Sequence, residues 1–189
     1  IPDLMLPEAQ LRLVKALAGT GIPVVMVLVE GRPRLIRPVA DEAEAILMAY
    51  LPGMEGGRAV ADVLFGDFNP SGKLSITYPA YANDLTLYDH RYSEISGGNT
   101  YSPQFPFGFG LSYTTFSYSG LALDRSGIGP GEPVTARVTV TNTGKRAGEE
   151  AVLLYLGDLY ASVTPAVKRL KGFHKVRLEP GESREVVFT

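Results

Sequence analysis

The run Leu51–Pro79 (LPGMEGGRAVADVLFGDFNPSGKLSITYP) leaves the backbone few options. Pro52-Gly53 stops whatever precedes it, because proline fixes φ and glycine reaches φ values that other residues avoid. Gly56 and Gly57 permit close backbone approach at the start of a helix, with Glu55 facing its exposed amides and positive dipole end. Ala59, Val60, Val63 and Leu64 recur at helical spacing, and Gly66 stands where a C-cap belongs. Asn69-Pro70-Ser71-Gly72 has the residue order of a type I turn. Leu74, Ile76 and Tyr78 then alternate as a strand that Pro79 ends. A turn, a short helix, a second turn and a strand so close together predict a tightly built α/β layer.

Upstream, Pro7–Ala18 predicts a helix with Leu11, Val14, Leu17 and Ala18 on one face, ended by Gly19 and Gly21. Pro23–Val29 is a β-branched run, the pattern of a strand buried on both faces of a parallel sheet. Ala40–Leu51 stays open between a helical turn, favoured by Asp41, Glu42 and Glu44, and a buried strand over Ala45–Tyr50. Together these elements predict an α/β/α sandwich with right-handed crossovers. Neither G-x-G-x-x-G nor a phosphate loop is present, which disfavours a nucleotide-binding domain.

From Ala80 to Gly120 the periodicity fades, tyrosines accumulate and Gly97-Gly98-Asn99 signals a turn. An irregular stretch this long is functional or joins domains. Beyond it, Val134, Ala136, Val138 and Val140 alternate with polar residues as a half-buried strand. Asn142-Thr143-Gly144 turns the chain, Val152, Leu154 and Leu156 form the next inward set, and Glu179-Pro180-Gly181-Glu182 turns it again before Val186 and Phe188. Short strands at regular spacing predict an immunoglobulin-like or fibronectin-like β-sandwich. Such a domain takes about 100 residues. Fewer follow Gly120, so the second domain is expected to be truncated.

With 189 residues, 45% of them hydrophobic, one large or two small cores are within reach. A net charge of −2 weighs against a nucleic-acid or anionic-membrane partner. No apolar run approaches the ~20 residues of a membrane-spanning helix, and Ile1-Pro2-Asp3 lacks the features of a signal peptide. The absence of cysteine excludes disulfide and thiolate chemistry, and His90 and His174 lie too far apart to suggest a zinc site. No cofactor is expected.

Four motifs carry a family resemblance: Val29-Glu30-Gly31-Arg32-Pro33; Pro52–Gly57 running through Asp62–Asp67 to Asn69–Gly72; Phe105–Phe116 (FPFGFGLSYTTF); and Val167–Phe173 (VKRLKGF). In this order they make the chain similar to the C-terminal half of family 3 glycoside hydrolases, the β-glucosidase and β-xylosidase group, and above all to bacterial periplasmic members. Glu30 departs from the Asn, Ser or Gly more usual at that place in the family. The resemblance implies a three-part enzyme. Its first part, a barrel carrying the aspartate nucleophile, is missing from this chain. The second, an α/β sandwich, corresponds to residues 1–118, and the third, a fibronectin type III-like domain, to residues 119–189. The family's acid/base glutamate sits on a loop that would precede Ile1.

Retaining glycosidases use two carboxyl groups about 5–5.5 Å apart, one nucleophilic and one protonated. By residue type the candidates here are Glu30, Glu55, Asp62, Asp67, Asp84, Asp89 and Glu94, none paired at a motif spacing. Glu55 is best placed, yet a helix N-terminus stabilises the ionised form, which is the wrong state for a general acid. Asp62 and Asp67 read as turn and cap residues flanking a short helix. Arg32 could bind a sugar hydroxyl, although holding a loop by hydrogen bonds is the simpler role. Arg91, Tyr92 and Tyr101 are the candidate substrate contacts, in a segment the family places near the barrel rim. The rings of Phe105, Phe107, Phe109, Tyr113 and Phe116 read as packing at a rigid connector between domains rather than as a sugar platform. His90 and His174 read as ordinary packed or surface histidines.

The expected function is therefore that of the C-terminal portion of a retaining, exo-acting β-glucosidase that hydrolyses terminal non-reducing β-D-glucosyl residues. The chain alone is expected to be inactive. Its expected partners are a β-linked oligosaccharide or glycoside, the missing barrel and, as an option, a second copy in a homodimer, with no nucleic acid and no membrane. The family places it in the periplasm or outside the cell. Which sugar is cleaved is not legible. The alternative is a non-catalytic carbohydrate- or protein-binding module.

Overall fold

The computed structural model describes residues 4–83, 87–91 and 101–189. Their contacts divide them into two compact units. The first holds residues 4–67, 74–83, 87–88 and 101–107; the second holds 68–73, 89–91 and 108–189.

In the first unit, α1 (Glu8–Ala18) starts directly after Pro7 and carries Glu8 in its first turn and Lys15 in its last, both favourable to the helix dipole. Leu11, Val14 and Ala18 are half-buried, whereas Leu17 is exposed, so the apolar stripe is narrower than its spacing suggests. Strand β1 (Val25–Val29) follows, then the single-turn α2 (Arg37–Ala40), then β2 (Ala45–Tyr50). The open segment is thus divided: Ala40 ends a helix and Ala45–Tyr50 is a strand. β1 and β2 pair in parallel from Val25↔Ala45 to Leu28↔Met48, and Ala49 is then bulged out because Val29 faces Tyr50. Met26 and Leu28 point into a core with Ile36, Val39, Ala40 and Tyr78, while Val25 and Val29 are 48% and 62% exposed. β1 is therefore covered on one face, and its β-branched run is not the signature of burial on both.

Helix α3 (Gly56–Phe65) ends at Gly66, whose φ of 86° supplies the left-handed cap. Val60, Ala61 and Val63 are half-buried, whereas Ala59 and Leu64 face solvent, one step off the face read from sequence. Asp62 lies within this helix rather than at its edge. The strand expected over Leu74–Tyr78 does not form. Leu74 and Ile76 pack on the core, but only Tyr78 makes a β-bridge, to Phe105. Nor does Asn69–Gly72 adopt a turn.

The second unit is a two-layer β-structure. Strands β3 (Phe116–Leu123), β4 (Ala136–Asn142) and β7 (Ser183–Phe188) form one antiparallel sheet; β5 (Gly148–Leu156) and β6 (Arg169–Leu178) form the other. Ala136, Val138, Val140, Val186 and Phe188 from the first sheet meet Val152, Val176 and Leu178 from the second. Alternation on β4, β5 and β7 decides which side chains enter this core. Gly172 has no Cβ because the Phe188 ring fills that place at 2.9 Å. Glu179–Glu182 forms the expected turn, with Glu182 N donating to Glu179 O and Gly181 at φ 78°. β3 begins inside the aromatic stretch that reads as connector, since Phe116 already pairs with Asn142.

Candidate functional site

In parallel sheets the strands' carboxyl ends are where loops gather and ligands bind. Here the loops after β1 and β2 leave that edge side by side. A Cβ at Gly31 would lie 3.4 Å from Leu51, so the Glu30-Gly31-Arg32 loop packs on the start of the Leu51–Glu55 loop. The edge thus places Glu30 and Arg32 on one loop and Glu55 on the other.

Glu30 is committed to structure. Its carboxylate lies 2.8 Å from the Tyr78 hydroxyl and accepts the Arg34 backbone N–H at 3.4 Å, while the same hydroxyl sits 2.6 Å from the Arg34 carbonyl. Tyr78 is 2% exposed. Burial first, and then Glu30, push its phenol well above the ordinary value, so it remains a proton donor to these oxygens. The residue that departs from the family pattern therefore has a dedicated partner from another part of the chain.

Arg32 is exposed at the loop tip, where its guanidinium faces solvent rather than fixing a buried loop. Glu55 is the N-cap residue of α3 but makes no side-chain capping bond, and it too is exposed. Its charge complements the helix dipole. The tight spot is one residue on: a Cβ at Gly56 would sit 2.6 Å from the Pro52 ring, whereas Gly57 has open space.

The remaining candidates are dispersed. Asp62 is half-buried in α3, Asp67 is exposed after it, and Asp89 is half-buried. Asp84, Tyr92, Glu94 and the Gly97–Asn99 turn lie outside the described residues. Tyr101 is half-buried in the first unit; Arg91 is exposed in the second, bridging by its backbone to Ala166. Neither histidine stands in a ligand set: His90 is buried, and His174 is exposed on β6 with its ring 5.0 Å from Phe188. Among the described residues no three metal-ligating side chains cluster, and no helix is long and apolar enough to cross a membrane. The aromatic residues engage in packing. Phe105 meets Tyr78 edge-on at 6.1 Å, and Phe107 stacks on Tyr88 at 4.4 Å.

One cleft, about 460 Å³, opens in the β-structure between β3, β4 and β5. Tyr118, Leu121, Val138, Leu154 and Phe188 wall it, with no carboxylate in its lining, so it lacks the carboxyl pair a retaining glycosidase uses. Sequence reasoning missed Tyr78 and Glu150 as engaged groups. Their partners are 48 and 32 residues away, and no local pattern announces such pairs.

Known proteins supply what this geometry leaves open. Residues 1–113 match the glycosyl hydrolase family 3 C-terminal domain, and residues 150–189 match a fibronectin type III-like domain. A lysosomal beta glucosidase of Dictyostelium discoideum is 46% identical across 100% of this chain, which covers 24% of that protein. A periplasmic beta-glucosidase of Salmonella typhimurium is 42% identical over 98% of the chain and 26% of its own length. The solved structure of a β-glucosidase from Erythrobacter marinus superposes with a TM-score of 0.93 at 42% identity, over 98% of this chain and 25% of that one. The chain thus spans about a quarter of the length of its relatives. With both halves matched in order and the fold reproduced, the chain belongs to family 3 of the glycoside hydrolases, as part of its C-terminal region.

Proposed function

We propose that the chain serves as the C-terminal portion of a retaining, exo-acting β-glucosidase that releases terminal glucosyl residues from β-linked oligosaccharides or glycosides outside the cytoplasm. The observation that carries this reading is the likeness, over essentially the whole chain, to proteins named as β-glucosidases, one of them periplasmic. The described carboxylates support a division of labour. Glu30 is taken up by Tyr78, Glu55 is exposed, and Glu150 is ion-paired with Lys73. In this reading residues 1–118 provide the α/β sandwich and 119–189 the fibronectin-like domain, with Arg91, Tyr92 and Tyr101 as rim contacts to substrate. The nucleophile and the acid/base come from elsewhere in the full protein.

The test compares the full-length protein with the 189-residue chain on p-nitrophenyl β-D-glucoside and β-D-xyloside. The full protein is expected to hydrolyse the glucoside faster, with retention visible by proton NMR of the first-formed sugar, and the chain alone is expected to show no turnover. Hydrolysis by the chain alone, or a full protein inert toward both glycosides, overturns the reading. Tight binding of cello-oligosaccharides by the isolated chain in calorimetry would favour a carbohydrate-binding module instead.

A further inference from the structure

The proposed activity makes no use of the most buried carboxylate among the described residues of the second unit. Glu150, on β5, is 8% exposed. An ionised group in such a place requires compensation. Tyr118 on β3 donates to it at 2.8 Å, and Lys73 Nζ lies 3.3 Å away, the two side chains of that ion pair being 11% and 18% exposed. Lys73 belongs to Phe68–Lys73, a segment far from the β-strands in sequence but part of the same unit.

That segment is gripped along its length. The Asn69 side-chain amide donates to Ala147 O at 3.0 Å, and its oxygen accepts from Ser112 Oγ at 2.9 Å and Tyr113 N at 2.8 Å. Ser71, 6% exposed, donates to Glu149 at 3.4 Å. Lys73 also donates to Gly110 O at 2.9 Å. The receiving surface is shaped for it. A Cβ at Gly148 would fall 2.8 Å from Asn69 Nδ2, and a Cβ at Gly110 would collide with the Gly72 carbonyl.

We propose that the β-structure carries a docking site for an internal peptide, Phe68–Lys73, with Asn69 as its recognition residue and Lys73 as the counter-ion of Glu150. The Asn-Pro-Ser-Gly-Lys sequence, whose order suggests a turn, is then an intramolecular ligand. The β-structure is complete only with that ligand seated. The contacts select a side chain with both donor and acceptor at position 69, a small hydroxyl donor at 71 and a cation at 73.

The test uses the whole chain, with hydrogen exchange read by mass spectrometry over residues 68–73 and 148–152 alongside urea unfolding. Lys73→Met leaves Glu150 buried without its counter-ion and with only the Tyr118 hydrogen bond, so exchange in both segments is expected to quicken by about a hundredfold. Adding Glu150→Gln to Lys73→Met removes the charge, and most of that loss is expected to return. Strict additivity of the two substitutions, or unchanged exchange over 148–152, overturns the proposal. Should Lys73→Met prevent folding, Asn69→Asp serves in its place. It keeps both acceptor contacts but loses the donation to Ala147, and about tenfold faster exchange over 68–73 is expected. Wild-type exchange in that variant also overturns the proposal.

Discussion

Two phenols, Tyr78 and Tyr118, each lie 2.8 Å from a carboxylate, Glu30 and Glu150 respectively. In both cases burial is the larger cause and the neighbouring carboxylate the next, and both raise the phenol above its ordinary value of 10.0. A phenol whose folded pKa exceeds its unfolded one contributes stability in full below pH 10.0 and loses it as pH climbs through the folded value. Alkaline titration at 295 nm is therefore expected to be biphasic. Tyr118, half exposed but held by Glu150, is expected to ionise above the ordinary range, and the buried Tyr78 only as the fold opens. If all ten tyrosines ionised in one reversible step with far-ultraviolet circular dichroism unchanged, both hydrogen bonds would be wrong. These pairs were illegible in the sequence for a simple reason. Tyr78 looked like one member of an alternating strand and Glu30 like a family departure. Only the fold joins them across the chain.

At the level of elements, legibility depended on whether a signal was local. The helix α3 was readable because its terminators act within a few residues: Gly66 has the positive φ that a C-cap demands, and Gly56 admits the Pro52 ring. The strands of the β-structure were readable because alternation fixes the buried face of β4 and β7 directly. Leu74–Tyr78 alternates just as well but remains irregular, because alternation shows which side chains can be buried and not whether the backbone meets a partner strand. Here β1 and β2 pair with each other, and only Tyr78 finds a bridge. The two glycines that open α3 separate packing from propensity. Gly56→Ala places a methyl 2.6 Å from Pro52 Cβ and Cγ and is expected to cost about 1–3 kcal/mol. Gly57→Ala meets no atom and is expected to stabilise the helix by up to about 1 kcal/mol. Urea unfolding of both variants checks this, and equal effects of like sign would remove the role assigned to Pro52.

On the scale of the whole molecule, the family was legible from motifs that span both halves, while the distribution of contacts was not. Residues 68–73 and 89–91 belong with Gly108–Thr189, although helix and loop signals around them read as one α/β layer. The same unit concentrates the carboxylates whose acidity is raised. Asp124 is lowered first by the Thr135 backbone N–H, Glu149 by Lys175 at 2.8 Å, and Glu182 by the Glu179 backbone N–H and then Arg184. A group with a depressed folded pKa contributes stability that is present above its unfolded value, here 3.8 for Asp124 and 4.5 for the two glutamates. That contribution is lost as pH falls through the folded value. All three are solvent-accessible, so each contributes little alone and salt weakens Glu149–Lys175 further. Acting together on two turns and the β5–β6 sheet, they predict a thermal midpoint that holds at neutral pH and declines once pH drops below about 4.5. Glu182→Gln keeps an oxygen for the Glu179 N–H but carries no charge, so its decline is expected to be shallower, with little change at neutral pH. A variant whose pH slope matched the parent's would show that Glu182 plays no part in the acid limit of this fold.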